Sequence, residues 1–418
     1  MIGLIITVLL GCALVYRYGG LTGQGPRWAQ WLLVAGIGIG IGIGVMGSLF
    51  FAVRTVPYAT LALAALLPGW LAWQIRRMPK PTAEPGRING LLASGLLVGL
   101  AIAIAAMTHA WATNPQGNWD AFSIWNLRAQ FFASDELYAR AWSPMLKFTH
   151  PEYPMLLSSF VAWCWRYSGL PESVPIATSL LFFLGLLCAG IGGLTISRSP
   201  ALGLAYGLVL ATSPAFLHEV PAQYADVPLA YFFATAVLMA ILNRPLLAGA
   251  LAGMASFTKN EGAVFFVILL IIVAVSRRGV VAFLAGSLPF IAMTAVFKFV
   301  LATGLEGLKM GQPNTAQLSE IIWGFITEFL NLGSGFYHPL MPVIALAVIW
   351  GIDRRYRPES LRTITIAIVM LAVYFGIILF TANDVQWQIG TALTRLYAQI
   401  WPTLLLGCIL LIKSPEEA

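Results

Sequence analysis

Apolar residues in this chain neither alternate nor recur with a helical period; they run on in long stretches, interrupted by short polar or basic loops. A helix that crosses a bilayer needs about 20 mostly apolar residues, fewer where protein shields it. On that criterion the sequence predicts spans at 2–17, 28–52, 56–75, 89–111, 172–196, 200–217, 227–242, 245–258, 261–276, 279–302, 337–352, 361–382 and 396–413. Length alone leaves open whether 245–258 and 261–276 are two full spans. The expected class is an all-α polytopic integral membrane protein with about thirteen transmembrane helices. Stretches without a membrane-length run, 112–171 and 303–336, set three regions: a three-helix segment at 1–88, a membrane module at 89–302, and C-terminal helices at 303–418.

Basic residues in the short loops orient the chain. With the N-terminus outside, fifteen fall on one side, which the rule makes cytoplasmic, clustered at Arg76, Arg77, Lys80 and Arg87, at Arg277 and Arg278, and at Arg354, Arg355, Arg357 and Arg362. Only five acids accompany them. Arg54 runs against this pattern, since it must lie outside. The assignment also requires the apolar stretch from Pro154 not to span. Segments 121–133 and 154–168 are therefore expected as interfacial helices: Ser123, Asn126 and Gln130 form a polar stripe beside an apolar face of Phe122, Trp125, Ala129 and Phe132. Residues 2–16 lack a preceding basic region, so they read as a retained first helix.

Composition agrees with the pattern. Apolar residues make up 59% of the chain and charged ones 10%, against about 25% charged in soluble domains. The net charge of +7 follows membrane orientation and does not signal nucleic-acid binding. Cys12, Cys164, Cys188 and Cys408 are scattered with no CxxC pair, which excludes a disulfide framework. The run from Gly36 to Gly44 lacks the Lys and Ser/Thr of a phosphate loop. Gly36, Gly40 and Gly44 share one helical face and Gly38 and Gly42 another, as close helix packing requires.

Charged groups at membrane edges are costly and therefore informative. Five clusters fall at expected outer helix ends: Asn118-Trp119-Asp120 through Arg128; Lys147 to Pro154 with His150, Glu152 and Tyr153; Tyr224-Ala225-Asp226-Val227-Pro228; Thr258-Lys259-Asn260-Glu261-Gly262; and Thr394-Arg395. Each has a bland reading. Asp120 and Asp226 suit helix N-caps, Lys147 suits a snorkelling lysine, Lys259 and Glu261 suit a local ion pair, Arg395 suits a headgroup contact, and His150-Pro151 suits a turn. His218 and Glu219 form only a weak metal-ligand pattern.

The order and sidedness of these motifs resemble the GT-C membrane glycosyltransferases, especially bacterial relatives of dolichyl-phosphate-mannose protein mannosyltransferases and of the lipid A aminoarabinose transferase. The similar elements are Asp120 in the first large external loop, Lys147-x-x-His150-Pro-x-x-Pro154, Asp226 opening a later helix, and Gly249-x-x-x-Gly253 leading to Thr258-Lys259. Alanine 121 stands where relatives often have Glu. The resemblance implies an integral-membrane glycosyltransferase at the periplasmic or extracellular face of a bacterial plasma membrane. It would move a sugar from a polyprenyl-phosphate donor to an acceptor lipid, glycan or protein.

Such a donor already carries a good leaving group, so chemistry requires a base for the acceptor and cations for the phosphate. Asp120 is the expected base, in an inverting attack. Lys147, Lys259 and Arg395 are expected at the phosphate. His150, Glu152, Tyr153, Arg128, Asn260 and Glu261 complete the expected substrate-binding set. Asp226 is expected to orient a sugar hydroxyl, or with Asp120 to hold a divalent cation such as magnesium or manganese; no cofactor is firmly implied. Two other classes compete: a secondary transporter with a broken helix at Thr258–Gly262, and a lipid-linked glycan polymerase or ligase working mainly through basic residues.

Overall fold

In lipid a backbone group has no water to bond, so apolar runs must satisfy their own N–H and C=O groups as helices. The computed structural model describes residues 2–21, 25–54, 66, 88–166, 168–277, 279–303, 310–333, 335 and 337–416. The expected span 56–75, the basic group Arg76, Arg77, Lys80 and Arg87, and the side chain of Lys147 lie outside the described residues. Within them every regular element is helical, apart from two isolated bridges.

The α-helices are α1 (Ile2–Tyr18), α2 (Arg27–Val53), α3 (Gly90–Thr113), α4 (Asn126–Ala133), α5 (Leu156–Trp165), α6 (Ser173–Ser197), α7 (Pro200–Ala211), α8 (Pro214–Ala222), α9 (Asp226–Ile241), α10 (Pro245–Thr258), α11 (Asn260–Val275), α12 (Val280–Val296), α13 (Leu318–Leu330), α14 (Leu340–Trp350), α15 (Arg357–Leu379) and α16 (Val385–Leu410). Among the described residues, six helical segments are long and apolar enough to cross a membrane unaided, and α7 with α8, bent by 65°, would make a seventh. Six further apolar helices are shorter, among them α9, α10 and α11. The chain is thus a helical, multi-pass membrane protein.

Most expected boundaries agree with the helices to within a few residues; the last does not. Helix α16 begins at Val385, where the Asp384 side chain accepts from the Trp387 backbone N–H at 2.8 Å. Gln386, Gln388, Thr391 and Thr394 precede the apolar run that set the expected span at 396–413, and they occupy the same helix. Arg395 is consequently well inside a helix and not at its end.

The external loop also differs from expectation. Asp120 leads into a π-helical turn, Ala121–Trp125, that continues into α4. Ser123 and Asn126 of the expected polar stripe are buried and Gln130 is exposed, while Trp125, Ala129 and Phe132 of the apolar face are buried and Phe122 is exposed, so both stripes are largely covered by protein. All ten residues of α5 are buried. The loop aromatics pack on protein: Phe132 and Trp163 meet Phe50 of α2 at centroid distances of 5.6 and 6.1 Å, and Trp125 stacks on Tyr153 at 5.6 Å. The amphipathic surface helix is α13 instead. Leu318, Ile322, Ile326 and Leu330, spaced by four, and Trp323 are exposed, while Ile321 and Phe325 on the other face are buried.

Arg54 is accounted for by the same loop. Its guanidinium donates to the Phe132 carbonyl at 2.7 Å and the Ser134 carbonyl at 2.8 Å, and pairs with Asp135 at 2.9 Å. A fixed set of acceptors outweighs the small statistical bias against a basic residue on that side.

The glycine run packs on two sides as its spacing requires. A Cβ on Gly38 or Gly42 would strike α1 at Cys12 or Thr7, and one on Gly36, Gly40 or Gly44 would strike Ala189, Tyr231 or Met254. The Tyr231 hydroxyl donates to the Gly36 carbonyl at 2.6 Å and accepts from the Gly40 N–H at 3.1 Å, inserting into the α2 ladder. Gly40→Val should therefore cost at least about 2–3 kcal/mol. Gly376→Ala, where no atom lies within 4 Å of the new Cβ, should be neutral or gain about 0.5–1 kcal/mol; thermal unfolding in detergent checks both.

At the bundle end remote from Asp226, Arg198 joins the α6–α7 turn to the Asp353 carboxylate at 3.1 Å and the Ile412 carbonyl at 2.7 Å. Arg355 also donates to Asp353, through its side chain at 2.9–3.0 Å and its backbone at 3.0 Å. The Arg355 hydrogen bond, helped by Arg198, holds the Asp353 carboxyl at about 2, below its usual 3.8, against the opposing effect of burial. Because the folded value is depressed, this contribution to stability is complete above about pH 4 and is lost as pH falls toward 2. In Asp353→Asn that acid limb of the stability–pH curve should shrink.

Candidate active site

Three helical arms set the depth of the site. Asp226 begins the 16-residue α9, Lys259 follows the 14-residue α10, and Arg395 is fifteen residues before the end of α16. At 1.5 Å per residue, all three groups lie about 21–23 Å above the far ends of their helices. That is less than the hydrocarbon core of about 30 Å, so none of the three arms alone matches a full bilayer core.

At this level the side chains form an alternating row. Arg395 donates to Asp120 Oδ2 at 2.6 Å and to Asp226 Oδ2 at 2.8 and 2.9 Å. Lys259 Nζ lies 3.0 Å from Asp226 Oδ1 and 2.9 Å from Glu261. Gln399 Nε2 donates to Asp226 Oδ1 at 2.5 Å, and Tyr374 donates to Gln399 Oε1 at 2.5 Å. The Tyr224 ring lies 4.2 Å from the Arg395 guanidinium. Asp226 is fully enclosed, at 0% exposure, and its four acceptor positions are filled by two arginine nitrogens, the lysine and the amide. It is the hub of the row. Asp120, with its side chain 18% exposed, accepts from Arg395 through Oδ2 and borders an open space.

That space is a cavity of about 740 Å³, within the range of small-molecule sites. Asp120, Asp226, His150, Glu152, Tyr153, Lys259, Asn260, Glu261 and Arg395 all line it. Its polar wall continues through Trp119, Tyr224, Asn383, Gln388 and Thr391; Val264 of α11 and Val373, Ile377 and Ile378 of α15 make an apolar wall.

A second cluster borders the row. His150 Nδ1 is 3.1 Å from Glu152 Oε1, and the His150 ring stacks on Tyr153 at 4.7 Å. The Tyr153 carbonyl accepts from Arg128 at 2.6 Å; Lys298, in the π-helical turn Phe297–Leu301, donates to the Glu152 carbonyl at 2.5 Å and to Asn260 at 2.6 Å. Arg128 is fully buried behind this cluster and does not line the cavity. Burial lowers its guanidinium to about 10, with Glu152 opposing.

The expected cation position between Asp120 and Asp226 is filled by Arg395 itself, and Asp226 has no free acceptor. Among the described residues no cluster of three His, Cys, Asp or Glu side chains suits a metal, and His218 is paired only with adjacent Glu219 at 3.5 Å. The residues present do not fit a divalent cation between the two aspartates. The cations expected at a phosphate, Lys259 and Arg395, are each held between two carboxylates.

Sequence reasoning missed Gln399, Tyr374 and Lys298. Gln399 and Tyr374 lie four and twenty positions from the nearest residue of the Thr394-Arg395 motif, in helices where one polar group carries no pattern. Lys298 sits mid-run at a helix end, and its isolation in 279–302 was the available signal. No family model, curated protein or solved structure matches this chain.

Removing one partner of a buried pair leaves an uncompensated charge and costs about 3–5 kcal/mol. Asp226→Asn should destabilise the protein on that scale, measured by unfolding in detergent. Asp226→Asn combined with Lys259→Met should recover part of the loss, since the two sites are coupled.

Proposed function

We propose that the chain is an integral-membrane glycosyltransferase of the GT-C kind, taking its sugar from a polyprenyl-phosphate donor at the outer face of a plasma membrane. One observation supports this most. Asp120, Asp226, Lys259 and Arg395, from widely separated parts of the chain, meet around one cavity with a charged wall and an apolar wall. A lipid-linked sugar has that same duality. The Val264, Val373, Ile377 and Ile378 side suits an isoprenoid tail, which is too apolar to approach through water. The charged wall suits the sugar and its phosphate. The distribution of basic loops favours thirteen spans with this cavity outside.

Asp120 is the base. Arg395 keeps its carboxylate oriented, and Oδ1 takes the proton of an acceptor hydroxyl or amine as that group attacks the anomeric carbon. Attack from the side opposite the phosphate inverts the configuration. Asp226 acts through Arg395 and Lys259 as a positioning residue. No step is assigned to a metal ion, because the two aspartates leave no room for one.

The helix break favours a second reading. Lys259 is a single extended residue between α10 and α11, the arrangement by which transporters line a midplane site. Against it, the charges gather nearer one face.

The test is purified protein in proteoliposomes with polyprenyl-phosphate sugars and candidate acceptors. Asp120→Asn should lower turnover by about 100-fold or more with a modest change in donor KM. Unchanged turnover would remove the base, and substrate flux without product would favour the transporter.

A further inference from the structure

Both cations of the charged row are already matched by carboxylates, so the charge that develops on a departing phosphate needs another partner. Among the cavity-lining groups, His150 is placed for this. Its imidazole is braced at two points, one of them itself backed by a second ring. Nδ1 faces Glu152 Oε1 at 3.1 Å, one ring face lies on Tyr153, and Tyr153 in turn lies on Trp125. The backbone at His150 is left-handed, with φ of 48°, and its carbonyl accepts from the Tyr153 N–H at 3.0 Å. A non-glycine residue is rarely held in that region without a structural reason. Nδ1 is thereby engaged and Nε2 is the ring nitrogen left for a substrate, on a side chain that lines the cavity and is 49% exposed.

Glu152 is buried, at 6% exposure, and its second oxygen, Oε2, is buried without a hydrogen-bond partner. Lys298 bonds the Glu152 carbonyl and leaves the carboxylate to the imidazole. A carboxylate so dedicated fixes which ring nitrogen faces the substrate.

We propose that His150, positioned by Glu152, is the proton donor to the leaving phosphate. The assignment rests on the transferase reading. It divides the labour of an inverting transfer between two ends of the row: Asp120 beside Arg395, and His150 beside Tyr153, whose ring lies 5.8 Å from Lys259 Nζ. The acceptor oxygen forms the bond to the anomeric carbon and its proton passes to Asp120. The bond from that carbon to the phosphate oxygen breaks, its electron pair stays on the oxygen, and the His150 Nε2 proton joins the phosphate group. Water then takes the proton from Asp120 and returns one to His150, so the net reaction is sugar transfer alone.

The charged and titratable groups around His150 are Glu152 and Tyr153 from its own segment, Lys259 and Glu261 from the α10–α11 break, Lys298 from the turn after α12, and Arg128 from α4 behind Tyr153. A pH dependence must be separated from theirs by substitution. His150→Gln and Glu152→Gln are compared with wild type in the same proteoliposome assay across pH, beside the imidazole signals of histidine-labelled protein. In wild type, turnover should fall on the alkaline side together with deprotonation of one histidine. In His150→Gln that signal and that limb should both vanish, with kcat down about 100-fold and donor KM changed less than about threefold. Glu152→Gln should keep the limb and lower kcat by a smaller factor than His150→Gln, with donor KM little changed. Product formation with the alkaline limb intact in His150→Gln, or a loss confined to KM, overturns this assignment alone. Absence of product from wild type under all conditions overturns the transferase reading instead.

Discussion

An ionised carboxylate enclosed in a membrane protein is tolerable only when every lone pair is answered, and Asp226 meets that condition completely. Two nitrogens of Arg395, the ammonium of Lys259 and the amide of Gln399 surround it. These groups come from α9, α16 and the α10–α11 break, so the carboxylate ties three parts of the bundle together. Burial of this kind gives little net stability over apolar packing, but it penalises any other arrangement. The walls of the cavity follow from that penalty.

The same constraint explains why the short helices are short. Asp226 and Lys259 can meet Arg395 only if α9 and α10 stop well below the outer surface, while α16 runs on past them. Pro228 and the extended residue Lys259 provide those stops. The polar helix start at Val385 then stands above the row and supplies Gln388 and Thr391 to the cavity. Truncated arms and an overhanging helix are two consequences of one electrostatic requirement.

Much of this was legible in the residues. Asp120, Asp226, Lys259 and Arg395 stood out because charge amid apolar sequence is costly, and the sidedness of basic loops put them at one face. What stayed hidden was pairwise. Nothing in a polar residue such as Gln399 says that it will face a carboxylate 173 positions away. Sequence spacing also could not tell that Arg395 would lie between the two aspartates, which displaced the expected metal. The loop helices misled for a related reason. An aromatic-rich segment has the same composition whether its rings anchor in headgroups or stack on Phe50 and Tyr153. The amphipathic period of α13 was in the sequence, but its loop held no motif to draw attention to it.

The exposed stripe of α13 has a mechanical corollary. That helix is fastened to α16 by Thr394 donating to Glu328 at 2.6 Å and by Tyr397 donating to the Phe325 carbonyl at 2.8 Å, within two residues on either side of Arg395. Its exposed Leu318–Leu330 face suits the level where acyl chains meet headgroups, and the position of that boundary would then bear on the very turn that carries the guanidinium. Hydrophobic mismatch costs fractions of a kcal/mol per ångström. Lipid chain length would therefore act on the geometry of the charged row without contact between lipid and cavity.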